Sequence, residues 1–125
     1  VTVIERHPVA ACEVTEKSFA WINTVHRIAP QYRHLYDAAL AEYHVLQQEL
    51  PELQIRWYGA LTWGVPDPME YTRVQKLNRQ QLEALEPNLK EYPDEATFAG
   101  DEGAVDPVRT TELLLNKARE YGEKV

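Results

Sequence analysis

The chain opens Val1-Thr2-Val3-Ile4-Glu5-Arg6. Four consecutive β-branched residues favour an extended backbone over a helix. The run predicts a buried strand, already under way at its first residue and closed by an acid. Pro8 cannot continue a central strand. Residues 8–17 show no steady period and read as a loop carrying Cys12, Glu13, Glu16 and Lys17. A strand in first place, followed by helical patterns, sets the expectation of an α/β or α+β fold.

Working outward, Ser18 to Ile28 reads as a short helix with Phe19 and Ile22 on one side. Residues 30–50 are the clearest helix. Pro30 suits a first turn, where its missing N–H is not needed. Tyr32, Leu35, Tyr36, Ala39, Tyr43, Leu46 and Leu50 fall on one apolar stripe, and Pro51 stops it. Residues 53–65 alternate with period two and carry Gly59 inside, which predicts two short strands or one strand bent there. Asp67-Pro68-Met69-Glu70 reads as a helix start running to Lys76. A second start follows at Asn78, with a capping box to Gln81 and a staple between Leu77 and Leu82. Residues 96–99 predict a strand and 100–103 a turn. Asp106-Pro107 caps a last helix with Val108, Thr111, Leu114, Leu115 and Ala118 on its stripe, ended by Gly122. Both ends look cut, so the expectation is an internal segment of a larger protein.

Composition narrows the function classes. Thirteen Lys and Arg face twenty Asp and Glu across 125 residues, a formal charge of -7. A nucleic-acid binder needs a basic face to displace counterions, so that class is not expected. No apolar run approaches the roughly 20 residues of a membrane span. One cysteine makes an internal disulfide impossible and points to a reducing, cytoplasmic setting. A homo-oligomer is left open.

The chemistry-bearing residues are sparse. The histidines at 7, 26, 34 and 44 lack metal-ligand spacing, and no metal is expected. Gly59, Gly64, Gly100, Gly103 and Gly122 are too scattered for a phosphate-binding turn. Glu49, Glu52, Asp101 and Glu102 sit in or beside turns and read as solvated. Trp57 and Trp63 read as sheet-packing residues, and Phe19, Trp21 and Ile22 have a plain reading as core. One feature is more informative. A β-branched strand ending in an acid looks like the second strand of a dinucleotide-binding unit, where the acid accepts hydrogen bonds from ribose hydroxyls.

Several stretches add to that feature in order. They are Ser18-Phe19-Ala20-Trp21-Ile22-Asn23, Gly59-Ala60-Leu61-Thr62-Trp63, Leu82-Glu83-Ala84-Leu85-Glu86-Pro87-Asn88-Leu89 and Gly103-Ala104-Val105-Asp106-Pro107. Leu113-Leu114-Leu115, Ala118 and Gly122 complete the set. With the opening run, they resemble the FAD-dependent D-amino-acid oxidase-like family, which includes glycine and sarcosine oxidases. The resemblance implies a partial Rossmann-type FAD-binding fold over 1–28. It also implies part of a mixed-sheet substrate domain over 29–125, returning towards the FAD domain. It implies FAD as cofactor and an amino acid or amine as substrate, with hydride transfer to flavin. Glu5 would bind the adenosine ribose with Arg6 beside it. Lys17, Ser18 and Phe19 would lie near the pyrophosphate or isoalloxazine, with Trp21 and Ile22 packed behind. The family's Gly-rich turn is not within these residues, so the isolated chain is expected to be inactive. The contrasting expectation is a small non-enzymatic interaction module presenting helix 30–50.

Overall fold

The computed structural model describes residues 2–24, 30–64 and 74–124. Their elements form a mixed α/β fold of three helices and two small antiparallel sheets. Strands are β1 (Trp21–Ile22), β2 (Ala60–Thr62), β3 (Val74–Asn78), β4 (Glu95–Ala99) and β5 (Gly103–Ala104). Helices are α1 (Arg33–Glu49), α2 (Arg79–Leu85) and α3 (Pro107–Glu120).

The first sheet pairs β1 with β5, Trp21 opposite Ala104 and Ile22 opposite Gly103. Arg56 bridges the far side of Ala104, exchanging hydrogen bonds of 2.9 and 3.0 Å. The second sheet has the order β2-β4-β3. One chain segment therefore serves both sheets, and it turns between them at Gly59. That residue has φ +76°, and a Cβ there would sit 2.4 Å from the Phe98 ring and 2.9 Å from the Ala99 carbonyl. The strand break expected at Gly59 is thus a change of sheet.

Two apolar clusters hold these sheets. Ile22, Leu40, Leu53 and Ile55 are buried together, with Tyr43, Leu46, Trp57 and Leu113 packed around them. Leu77, Leu82 and Ala96 form the other, with Leu61 and Phe98 against them. Burying a Leu side chain contributes about 1.5–3 kcal/mol, so each small cluster is sensitive to one truncation. The His44 ring stacks on Trp57 at 4.0 Å between centroids and extends the first cluster towards solvent.

Local signals at the helix ends are realised. Asn78 caps α2 with the full capping box to Gln81, and Leu77 packs with Leu82 as the staple. Asp106 caps α3 through the Arg109 N–H. Gly122 takes φ +82°, and the Gly122 and Glu123 N–H groups donate to the Arg119 and Ala118 carbonyls. That is the double bond pattern of a left-handed helix stop.

Four expectations are corrected. Residues 21–22 form a strand where a helix was read, because they pair with Gly103–Ala104; residues 25–28 of that expected helix lie outside the described residues. Residues 74–76 belong to β3, since they pair with β4 through to Asn78. The rest of the helix expected from Asp67 lies outside the described residues. The opening run is not buried: Ile4 is 90 % exposed. Thr2 instead makes a parallel bridge to Lys124, with the Val3 N–H donating to the Lys124 carbonyl at 3.0 Å. On α1, no residue of the stripe is fully buried: Tyr32, Leu35, Tyr36 and Ala39 are exposed and Tyr43, Leu46 and Leu50 half-buried, while the buried residue of the helix is Leu40, beside the stripe.

Gly59→Ala is expected to destabilise the protein by about 2–5 kcal/mol, from left-handed backbone strain plus overpacking against Phe98. A fall in the thermal unfolding midpoint measures it, and an unchanged midpoint contradicts the sheet switch at this residue.

Candidate functional site

The segment 18–24 is shaped by its own short-range bonds and by one distant clamp. The Ser18 hydroxyl accepts the Ala20 N–H at 3.0 Å. Ala20 takes φ +46°, in the left-handed region. β1 follows, and the Val105 N–H donates back to the Ala20 carbonyl at 3.3 Å. The segment ends at Thr24, whose N–H donates to Glu102 Oε1 at 2.8 Å.

Glu102 is 0 % exposed, which corrects its reading as a solvated turn carboxylate. It stands in the β4–β5 turn, and its carbonyl accepts the Gly59 N–H at 2.9 Å. Its side chain can reach inward because Gly103, the next residue, lets the chain close on Arg56 and Trp57. A Cβ on Gly103 would lie 2.7 Å from the Arg56 carbonyl. Glu49 and Glu52 are exposed, as read.

Two concavities border this segment, and a third lies against the opening run. The first, about 540 Å³, lies between residues 15–24, α1 and α3. Ser18, Trp21, Asn23, Thr24, Tyr36 and Thr110 line it, and no described lining residue is charged. The Thr24 and Thr110 hydroxyls are buried without a hydrogen-bond partner among the described residues, and Thr24 is only 1 % exposed. An unmet buried hydroxyl costs about 1–3 kcal/mol, so the cavity suits a polar, uncharged occupant. The second, about 520 Å³, is flanked by Phe19, Trp21, Arg56 and Tyr58. Phe19 is 81 % exposed there, which corrects its plain reading as core; Ile22 is core as read. The third, about 480 Å³, runs from Val3 to His7 against Thr111, Leu115 and Arg119.

The five residues singled out from the sequence fall around these spaces without converging on one point. Glu5 lines the third concavity, Ser18 the first and Phe19 the second. The Glu5 carboxylate accepts the His7 N–H at 2.9 Å. That hydrogen bond is the main reason its pKa lies below the usual carboxylate range; desolvation opposes it, and the Arg6 N–H and the neighbouring His7 and Arg6 charges add to the lowering. Arg6 and His7 both converge on Glu13 Oε1, His7 at 2.9 Å. Lys17 pairs with Glu16 at 2.6 Å, and this hydrogen bond raises the lysine pKa.

The residues fit FAD at its two uncharged regions. The acceptor-only carboxylate of Glu5 suits ribose hydroxyls. The hydroxyl-lined, uncharged cavity at 18–24 suits a ring with polar edges. Phosphate recognition is not offered by residues 6–17, where each cation is already held by a loop glutamate.

The family model described as FAD dependent oxidoreductase (DAO) matches residues 1–125. The chain belongs to that family. No curated protein matches the chain. Sequence reading singled out Glu5 and Ser18–Asn23, and passed over Thr24, Thr110 and the burial of Glu102. No spacing rule marks a buried Thr, and the one hint for Glu102 was the adjacent Gly103.

Two outcomes are expected. Thr24→Val removes an unmet buried hydroxyl at equal volume, so the ligand-free thermal midpoint should hold or rise; a fall shows the hydroxyl is satisfied within the protein. Glu5, titrated by side-chain carbon NMR, should show a midpoint below that of an unstructured Glu. With its folded pKa depressed, its hydrogen bond supports the fold above the ordinary carboxylate value. That support is lost as pH falls through the depressed one.

Proposed function

We propose that the chain forms the ribose-binding edge and part of the substrate domain of an FAD-dependent oxidoreductase acting on the C–N bond of an amino acid or amine. Residues 1–28 belong to the FAD-binding unit and 29–125 to the substrate domain as it returns towards it. The family match over 1–125 supports the class. The observation that carries the finer reading is the parallel bridge between Thr2 and Lys124 with Glu5 exposed just beyond it. An acid at the carboxyl end of a parallel strand is where a Rossmann-type unit holds a ribose.

In this reading Glu5 accepts hydrogen bonds from the ribose hydroxyls, with Arg6 beside it. Lys17, Ser18 and Phe19 border the path between the pyrophosphate and the isoalloxazine. Phe19 and Trp21, tilted against each other at 6.4 Å, offer an apolar wall that excludes water from the reacting face. The redox chemistry would be the cofactor's: bound FAD would supply a hydride acceptor for the carbon bearing the amine. The family assignment favours this reading over an interaction module. The substrate is a small molecule, and among the described residues no helix is long and apolar enough to cross a membrane.

The test is flavin uptake by the full-length gene product. Wild-type protein should bind FAD stoichiometrically. Glu5→Ala should raise its Kd about tenfold or more, the effect of losing hydrogen bonds to a charged acceptor. An unchanged Kd removes Glu5 from the site.

A further inference from the structure

Glu102 is the one fully buried carboxylate among the described residues, and no step of the proposed chemistry uses it. Burying a carboxylate is costly unless hydrogen bonds compensate. What this one does is join three parts of the chain. Its Oε1 accepts the Thr24 N–H across 78 residues of sequence separation. Its carbonyl accepts the Gly59 N–H, and its own N–H points to the Ala99 carbonyl at 3.4 Å. The end of the 18–24 segment, the switch between the sheets and the end of β4 are thereby fixed relative to one another.

The segment so fixed borders both the uncharged cavity and the aromatic concavity. Trp21 lines both, while Asn23 and Thr24 line the first. With its backbone held, Thr24 keeps an unmet hydroxyl buried beside the cavity. An unmet buried hydroxyl costs stability, and the Glu102 bond is a contact that holds the Thr24 backbone in place against that cost.

We propose that Glu102 is a positioning residue for cofactor binding: it sets the path of residues 18–24, and so the polar edge they present to the flavin, by holding the Thr24 N–H. This rests on the functional reading above. Glu102 touches no reacting atom. It acts through the backbone of Thr24.

The experiment compares Glu102→Ala, Glu102→Gln and Glu102→Asp in the full-length protein. FAD Kd and the shape of the bound flavin's visible band are read first. Exchange of the Thr24 amide in ligand-free protein is read alongside. Glu102→Gln keeps an acceptor oxygen at the Oε1 position and should bind FAD within about threefold of wild type. Glu102→Ala should raise Kd about tenfold or more, alter the visible band and speed exchange at Thr24. Where Glu102→Ala does not fold, Glu102→Asp, which retracts the carboxylate by one methylene, should move the same readings in the same direction. Leu82→Ala, in the other core cluster, should lower the thermal midpoint and leave Kd of the folded protein unchanged.

Glu102→Ala or Glu102→Asp with wild-type Kd, or Glu102→Gln as impaired as Glu102→Ala, overturns the positioning role alone. Wild-type protein that takes up no FAD overturns the functional reading, and the positioning role falls with it.

Discussion

The Glu102–Thr24 hydrogen bond is the constraint on which the candidate site depends. β1 has two residues and two partners on β5, too little pairing to hold itself. A strand that short is stable only if its flanks are tied. One flank is tied through the Ala20 carbonyl to Val105, the other through Thr24 to Glu102. Both partners lie at the ends of β5, so a single short hairpin edge organises the segment. Gly103 is the enabling residue, because only a missing side chain lets this edge lie against Arg56 and Trp57.

The exposed loop before that segment follows a different rule. Arg6, His7 and Lys17 are matched locally by Glu13 and Glu16. Pairs this exposed are screened by water, so they shape the loop more than they stabilise it. Their functional weight is larger. A phosphate approaching Arg6 or Lys17 has to compete with a carboxylate already in place. Across residues 6–17 Arg6 and Lys17 are balanced by Glu13 and Glu16, so this loop offers a phosphate no surplus positive charge. In the proposed reading, recognition by these residues falls to uncharged groups and to Glu5.

Much of the fold was legible in the sequence because its signals are local. Asn78 with Gln81, Asp106 with Pro107 and Gly122 each fix a helix end through bonds within a few residues, and all three fall where expected. Gly59 was legible as a break for the same reason. What failed was non-local. Residues 21–22 and 74–76 carry helix-compatible sequence, and only pairing with strands some 20 to 80 residues away makes them extended. At the site, Glu5 and Ser18–Asn23 stood out as a pattern. Glu102 did not, since a turn carboxylate is normally solvated, and its burial depends on an N–H that arrives from 78 residues earlier.

The opening run shows why local and non-local evidence must be weighed together. Four β-branched residues argued for burial, yet Ile4 is almost wholly exposed and Thr2 has only a bridge to Lys124. The run forms one isolated bridge at Thr2 and no strand among its described residues, so the pattern failed on pairing as well as on packing. β-propensity reports fitness for a pleated surface, and it says nothing of whether a surface is present to pair with. The bridge is parallel, and a parallel pair requires a long crossover between its strands. Here that crossover contains both sheets and all three helices. α3 is its last element, closed by the left-handed stop at Gly122 that aims the chain back at Thr2. The helix stop thus brings Lys124 alongside Thr2, and Glu5 lies just beyond that bridge.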